Sequence, residues 1–271
     1  MPLTLTPRLL AFDTSTEQLS VALRVGEQVF AREAAGGAQA SVALIPLVHE
    51  LLAQAGVHLR DLDAIAFGRG PGAFTGLRTA CAVAQGFGWG AGIALLPVDT
   101  LLAVAEDARM RYGVRRVLAL LDARMDQIYA APYDFDADGP CPEVTPQLLA
   151  PEQIRLPGSR RAEHHPADRD SGDWNSGDVN SGDWVWAGNV FDVYGDRLPA
   201  AALRYPALPS ASALLRLAPA LLATGRAVAP ADALPLYVRD KVAQTTAERA
   251  AVASTPPAGP VPVLQSGSKA T

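Results

Sequence analysis

AIAFGRGPGAFTGLRTACAVAQGFGWGAG, residues 64–92, is the stretch of sequence that decides the fold. It begins as a short apolar strand over residues 64–68 and passes into a loop with three glycines and a proline. Such a loop cannot continue a regular element, because glycine permits positive φ and proline lacks a backbone donor. A helix over residues 74–90 follows. The stretch therefore predicts a strand joined to a helix by a tight loop.

The loop itself has two interpretations. A strand that enters a helix in this way can leave backbone N–H groups directed outward, which favours binding of an anion or a carboxylate. Alternatively, the glycines meet only the steric needs of a tight turn. The residues alone leave both interpretations open. The structural residues of the loop are Gly68, Gly70, Pro71, Gly72, Thr75 and Gly76.

The helix after the loop is apolar nearly all round, and Arg78 is its only charge. At about 100° per residue, one stripe holds Leu77, Cys81, Ala84 and Gly88, and the opposite side holds Thr79, Ala82, Val83 and Gly86. A helix that is apolar on two sides must be covered on both. One side can pack on its own sheet. The side with small residues predicts a second helix or a second chain.

Composition narrows the function classes. The chain has 271 residues and 49% hydrophobic content, enough for one large or two modest cores. Its net charge of −5 disfavours tight nucleic-acid binding by the chain alone. Cys81 and Cys141 have neither the spacing of metal ligands nor that of a disulfide framework. We therefore expect two reduced thiols, as in a cytosolic protein. No signal-peptide pattern precedes the first strand, and no apolar run reaches the ~20 residues that span a bilayer. We therefore expect a cytoplasmic protein without membrane contact.

The lysine content bears on nucleotide chemistry. The only lysines are Lys241 and Lys269, so residues 1–240 contain none. Phosphoryl-transfer sites of the P-loop and protein-kinase types place a lysine on the phosphates of the nucleotide. Nucleotide chemistry in this chain would therefore depend on arginine, backbone amides and a metal held by carboxylates.

Two similar segments predict a duplicated lobe. Residues 8–13 form an apolar strand that ends in Asp13, followed by a hydroxyl-rich turn and strands over 19–25 and 27–34. Residues 116–122 form another strand that ends in Asp122, followed by a polar turn and a strand over 127–135. Ser41 is expected to cap a helix that runs to Ala55 with apolar residues at helical spacing. Further helices are predicted over 100–112, which Gly113 ends, and over 210–224.

Residues 157–183 depart from this pattern. They are polar and contain a five-residue SGDWN-like repeat that begins at Ser171, Ser176 and Ser181. Such composition predicts a solvated, disordered insertion. A calcium ladder from Asp173, Asp178 and Asp183 is the alternative. The predicted organisation is an N-terminal lobe over 1–112, a C-terminal lobe over 113–240 and a flexible tail over 241–271.

Five segments together resemble the TsaB (YeaZ) family: LLAFDTST, GRGPGAFTGLR, PVDTLLAVA, LALLDARMDQIY and PLYVRD. The resemblance runs in order over residues 9–240, apart from the repeat. It implies an α/β, actin-like (Hsp70-like) ATPase fold with two lobes, each a mixed sheet flanked by helices.

The resemblance also implies a function. Proteins of this family are non-catalytic scaffold subunits that pair with the TsaD transferase to form threonylcarbamoyl-adenosine in tRNA next to the anticodon. A TsaE-like ATPase is a further expected partner, and a homodimer is the alternative state. ATP and metal would sit on the partner subunits, with no cofactor on this chain, and tRNA would be contacted only through the complex.

The family's pairing surface corresponds to the helices over 41–55 and 74–90. The implied partner-binding residues are Leu44, Ile45, Val48, His49, Leu52, Phe74, Arg78, Thr79, Ala82, Val83, Gly86 and Trp89. A degenerate phosphate loop would comprise Asp13, Thr14, Ser15, Thr16 and Asp122. No catalytic or metal-binding residue is implied.

The chain departs from the family pattern at two places. Ala40 stands where many members have a histidine before the first helix, and Ser15 stands where catalytic relatives of the fold have a glycine. His164 and His165 are adjacent and lack the HxxxH spacing of the metal site of TsaD.

Two other functions remain open from the sequence. One is a nucleotide-binding phosphotransferase that uses Asp13, Thr14, Thr16 and Asp122 around a metal-bound phosphate. The other is a peptidase, a label often given to the superfamily, which no Ser/His/Asp or zinc-ligand spacing supports.

Overall fold

The computed structural model describes residues 7–135, 144–155, 184–199 and 203–239. Residues up to Val238 belong to one unit and residues from Arg239 onward to a second. The predicted repeat insertion over 157–183, with its calcium-ladder alternative, lies outside the described residues, as do Cys141, His164, His165 and the tail over 241–271.

The first lobe is built on a five-stranded mixed sheet. Its strands are β1 (Leu9–Asp13), β2 (Gln18–Val25), β3 (Gln28–Ala35), β4 (Ala64–Gly70) and β5 (Ala94–Asp99), in the order β3-β2-β1-β4-β5. β2 is antiparallel to β1 and to β3, whereas β4 is parallel to β1 and to β5. Helices α1 (Ala40–Ala55) and α2 (Phe74–Ala91) cover one face, and α3 (Thr100–Tyr112) packs on the other.

The second lobe repeats this topology. Its strands are β6 (Arg116–Arg124), β7 (Gln127–Asp134), β8 (Gln147–Leu149), β9 (Trp184–Gly188) and β10 (Arg204–Pro206), in the order β10-β9-β6-β7-β8. The antiparallel partners of β6 again lie on one side and the parallel strands on the other. Helix α4 (Phe191–Tyr194) follows β9, and α5 (Ala211–Ala223) packs on the first sheet, against β1, β2, β4 and β5. The repeated topology confirms the predicted α/β, two-lobed, actin-like fold.

A shared core joins the two lobes. α3 and α5 contribute buried residues to one cluster with the facing sides of both sheets, including Leu9, Leu101, Val117 and Leu214. A second cluster lies between the first sheet and α1 with α2. A third lies on the outer face of the second sheet, around Trp186. The core therefore has three layers, and the inner one holds the lobes together.

The predicted helix ends are partly confirmed. α3 has the predicted bounds, and Gly113 ends it with φ of 69°, a conformation that glycine adopts without strain. Ser210 caps α5 by accepting a hydrogen bond from the N–H of Ala213. The predicted cap at Ser41 is wrong: α1 already begins at Ala40, and the Ser41 hydroxyl donates to the carbonyl of Ala38. Among the described residues, no helix has the length and apolar character needed to cross a membrane.

Candidate functional site

The glycine-rich loop packs tightly against the turn that follows β1. A Cβ atom at Gly72 would lie 2.6 Å from the carbonyl oxygen of Ser15, and one at Gly76 would lie 1.8 Å from the carbonyl oxygen of Thr14. No side chain larger than hydrogen fits at these distances. Glycine is therefore required at both positions for close approach of two backbone segments.

Two backbone donors of the loop form hydrogen bonds within the chain. The N–H of Ala73 donates to the carbonyl of Ser15 at 2.8 Å, and the N–H of Gly70 donates to Thr100 Oγ1 at 3.1 Å. An anion would have to compete with these bonds. Of the two sequence interpretations of the loop, the structure favours the steric one.

Asp13 is enclosed at the end of β1. Its Oδ1 accepts from both the N–H and the hydroxyl of Ser15, at 2.8 and 2.6 Å, whereas Oδ2 has no hydrogen-bond partner among the described residues. A Cβ atom at Gly68 would lie 1.7 Å from Oδ2, so the backbone of β4 covers this oxygen. Burial raises the pKa of Asp13 to about 6, against the lowering effect of the Ser15 bonds.

Asp122, the corresponding residue of the second lobe, is instead fully partnered. Its carboxylate accepts from the N–H of Arg124 at 2.8 Å and from the Tyr194 hydroxyl at 2.9 Å, and it forms an ion pair with the Arg124 guanidinium. Burial and the bond to Asp122 raise the pKa of Tyr194 to about 12. Asp122 therefore acts as a structural acceptor that fixes the β6–β7 turn.

The hydroxyl groups of the degenerate phosphate loop are also used internally. Thr14 donates to the carbonyl of Gly76 at 2.7 Å, and Thr16 Oγ1 accepts from the N–H of Gln18 at 3.2 Å. Arg124 bridges the two turns by an ion pair with Glu17. Within the described ranges, no group of three or more His, Cys, Asp or Glu side chains is placed to hold a metal ion. The predicted phosphate-loop residues thus form a closed structural element.

α2 has one buried and one exposed side. Leu77, Ala80, Cys81 and Ala84 face the sheet. Its outward side begins at Arg78, continues through small residues and ends at Trp89, whose exposed fraction is 68%. We call this outward side the α2 strip. It consists of Arg78, Thr79, Ala82, Val83, Gly86 and Trp89, of which Thr79 and Val83 are half-buried.

The predicted residues of α1 divide into two groups. Leu44, Val48 and Leu52 lie in the core against the first sheet, because the apolar stripe of the helix serves its own lobe. Because these three side chains are buried, they cannot contact a partner directly. Their prediction as partner-contact residues is therefore wrong. Ile45 and His49 are exposed, and the His49 ring packs edge-on against Phe87 at 6.3 Å.

A C-terminal segment, residues 233–237, lies along α2, although the partner-binding residues predicted from the sequence do not include it. The carbonyl of Ala233 accepts from Cys81 and Gln85, at 3.2 and 3.0 Å. The Tyr237 ring packs on Phe74 at 5.3 Å. The bonds to Ala233 span sequence separations of 152 and 148 residues, and of the sequence observations only the family-like motif PLYVRD overlaps this segment. Phe74 is therefore half-buried beside Tyr237.

Comparisons with known proteins place this geometry in a family. A family model described as TsaD, tRNA N6-adenosine threonylcarbamoyltransferase, matches residues 34–247. The tRNA threonylcarbamoyladenosine biosynthesis protein TsaB of Escherichia coli is 35% identical over 241 residues, which cover 87% of this chain and 96% of that protein. The chain belongs to the TsaB (YeaZ) family. In contrast, the likeness to a tRNA N6-adenosine threonylcarbamoyltransferase of Bordetella petrii, 40% identical, covers 21% of this chain and 16% of that enzyme.

Solved structures agree with the family. YeaZ from Pseudomonas aeruginosa is similar with a TM-score of 0.69 and 35% identity, covering 85% of this chain and 99% of that one. A crystal structure described as an uncharacterized protein with similarity to peptidase YEAZ, from the same organism, gives a TM-score of 0.71 at 35% identity and covers 86% and 100% of the two chains. The sequence motifs had identified the family correctly.

Proposed function

We propose that this chain is a non-catalytic subunit that pairs with a TsaD-like transferase in the formation of threonylcarbamoyl-adenosine in tRNA. Its family relative in Escherichia coli is named for the biosynthesis of that nucleoside. The observation that carries the proposal is the α2 strip, an exposed helix surface with small residues in the middle and a tryptophan at one end.

The α2 strip has the shape that helix packing requires. A Cβ atom at Gly86 would have no neighbour within 4 Å in the part of the chain that the structure describes, and Ala82 is exposed one turn away. Small side chains allow a second helix to approach closely, and packed helices lie about 8–10 Å apart. Trp89 can fill a pocket on the partner, and exposed tryptophan and arginine are frequent anchors of interfaces.

The proposed docking face consists of the α2 strip together with the exposed side of α1, which carries Val42, Ile45 and His49. Val42 and Ile45 are large apolar residues with exposed fractions of 72% and 42%, and His49 connects α1 to α2 through Phe87. Several apolar side chains left in water on two neighbouring helices indicate a site of protein association. A homodimer through this face is the competing state. A TsaE-like ATPase and tRNA would join the complex that the chain forms with the TsaD-like transferase.

The closed phosphate loop supports a role without nucleotide hydrolysis. Asp13 is covered by backbone, and the loop hydroxyls bind within the chain. A cavity of about 540 Å³ is lined by the carboxylates of Glu33, Asp107 and Asp192, and its Arg111 already pairs with Asp107. Such a lining repels polyphosphate. Calorimetry with ATP and Mg²⁺ is expected to give no binding heat at millimolar concentration.

Size-exclusion chromatography with the TsaD-like subunit of the same organism tests the proposal. Ala82→Glu and Gly86→Glu are expected to abolish co-elution, because a carboxylate would be buried against the partner helix without a counter-charge. Ala220→Glu is the matched control, since Ala220 is an exposed alanine on α5, away from the docking face. Unchanged co-elution of all three variants would contradict the proposal.

A further inference from the structure

Arg78 is held in one orientation by two aromatic residues. Its guanidinium carbon lies 3.8 Å from the centre of the Phe74 ring, which is a cation–π contact. Its Nε donates to the Tyr237 hydroxyl at 3.2 Å. Since the Tyr237 ring also packs on Phe74, the three side chains form one cluster, Phe74–Arg78–Tyr237.

Arg78 has no acidic partner among the described residues. Several other exposed arginines do, and Arg32 with Glu50 and Arg111 with Asp107 are examples. The hydrogen bond of Arg78 to Tyr237 uses only Nε, although a guanidinium has five N–H donors. The donors on Nη1 and Nη2 are thus left for another molecule, and this end of the guanidinium matches both oxygens of a carboxylate.

We propose that Arg78 is a preorganised receptor for an aspartate or glutamate side chain of the TsaD-like partner, at one end of the α2 strip. The inference rests on the proposed function and specifies its chemistry. Arg78 is the only charge on α2, so an acidic residue beside a small-residue helix face is the complementary surface. Phe74 and Tyr237 fix the guanidinium before binding, which lowers the ordering cost of the contact.

A protein carboxylate fits this position better than a phosphate of tRNA. The α2 strip continues from Arg78 into alanine, glycine and tryptophan, which neither attract nor track a phosphate backbone. The chain also carries a net charge of −5, which opposes association with a polyanion.

The test measures the dissociation constant of the complex with the TsaD-like subunit, by calorimetry at several salt concentrations. Arg78→Gln is expected to weaken binding about tenfold or more at low salt, because a charge-assisted hydrogen bond is lost. It should also flatten the dependence of affinity on salt. Arg78→Lys keeps the charge but loses the planar fork, so affinity should recover only in part. Arg111→Gln removes one exposed charge elsewhere and should leave both quantities unchanged.

Tyr237→Phe isolates the orienting bond. It keeps the ring on Phe74 and removes only the hydroxyl that accepts from Arg78. Affinity should fall about two- to fivefold while the salt dependence remains, because the charge is still present but less well placed. The variant therefore measures how much the orientation of the Arg78 guanidinium contributes to affinity while its charge is unchanged.

The outcomes distinguish this inference from the proposed function. If the natural chain does not bind the subunit, both are overturned. If it binds, and Ala82→Glu abolishes binding while Arg78→Gln changes neither affinity nor salt dependence, the docking face stands and the carboxylate receptor does not. Loss of tRNA binding in Arg78→Gln, with the affinity for the subunit unchanged, would likewise overturn it.

Discussion

The two lobes share one strand order but differ in what covers their outer faces. In the first lobe the outer layer consists of α1 and α2, with 16 and 18 residues. In the second, the helix that follows the equivalent parallel strand is α4, with only four residues. The first lobe therefore carries more helical surface than its own sheet can bury. The excess leaves Val42, Ile45 and Trp89 exposed to water, and it is the surface that we propose as the docking face.

The aspartates at the ends of β1 and β6 differ in a related way. One oxygen of Asp13 has no hydrogen-bond partner among the described residues and lies under the backbone of β4, whereas Asp122 is bound by Arg124 and Tyr194. Equivalent positions in a duplicated fold thus have different environments. Among the described residues, the aspartate of each lobe is therefore enclosed by its own chain, by the backbone of β4 in the first lobe and by Arg124 and Tyr194 in the second.

The largest expected effect concerns the tight loop of the first lobe. Gly76→Ala should destabilise the fold by about 3 kcal/mol or more, because its Cβ would overlap the carbonyl of Thr14 and a backbone segment must move. Denaturant unfolding measures the change. Gly90→Ala is the control in the same helix, since nothing lies within 4 Å of its Cβ, and it should stabilise slightly. Equal midpoints for the two variants would contradict the steric account.

The second prediction compares the two aspartates. Burial raises the pKa of Asp13 from 3.8 to about 6, so the folded state holds its proton more tightly than the unfolded state. The resulting stability is fully present below pH 3.8 and is lost as the pH rises through about 6. The loss amounts to about 3 kcal/mol at most. Asp13→Asn should remove this pH dependence and should be more stable than the natural chain at pH 8.

The matching variant is Asp122→Asn, measured by the same unfolding titrations. It should be destabilising at pH 8, because it breaks an ion pair and weakens the bonds from Arg124 and Tyr194. The same substitution should therefore have opposite effects in the two lobes. If both variants lose stability at pH 8 to the same extent, the difference between the aspartates is not what the structure indicates.

The third prediction concerns the exposed apolar side chains of the two lobes. Trp89→Ala should weaken binding of the TsaD-like subunit by about 2 kcal/mol, or roughly 30-fold, as expected for a buried aromatic anchor. The free energy of unfolding of the Trp89→Ala variant should hardly differ from that of the natural chain, since 68% of Trp89 is exposed. Val193 on α4 has an exposed fraction of 58%, and Val193→Ala should leave the affinity unchanged. An equal loss of affinity in the two variants would contradict the proposal that the subunit binds α2 of the first lobe and not α4 of the second.

The smallest expected effect concerns the ion pair between the lobes. Arg124 and Glu17 are exposed by 67% and 68%, and exposed pairs contribute little to stability. Glu17→Gln should therefore leave the thermal midpoint unchanged within error. A clear decrease would show that the turns of the two lobes are coupled more strongly than the exposure of the pair indicates.

Much of the fold followed from the sequence, and the failures have physical causes. α3 was predictable because apolar spacing and a terminal glycine agree. β8 and β10 were missed because strands of three residues carry no measurable alternation. Leu44, Val48 and Leu52 were assigned to the partner surface, although the regular stripe that they form is the one that packs on the sheet. Tyr237 was missed because its contacts with α2 are set by tertiary structure.

Amide hydrogen exchange, with and without the TsaD-like subunit, tests the central claim most directly. The account predicts slower exchange in the complex over residues 74–91, 40–55 and 233–237. Residues 191–194 of the second lobe should be unchanged, as should the turn at 124–127. Protection confined to the second lobe, with α1 and α2 exchanging as in the free chain, would contradict the claim that the first lobe carries the docking face.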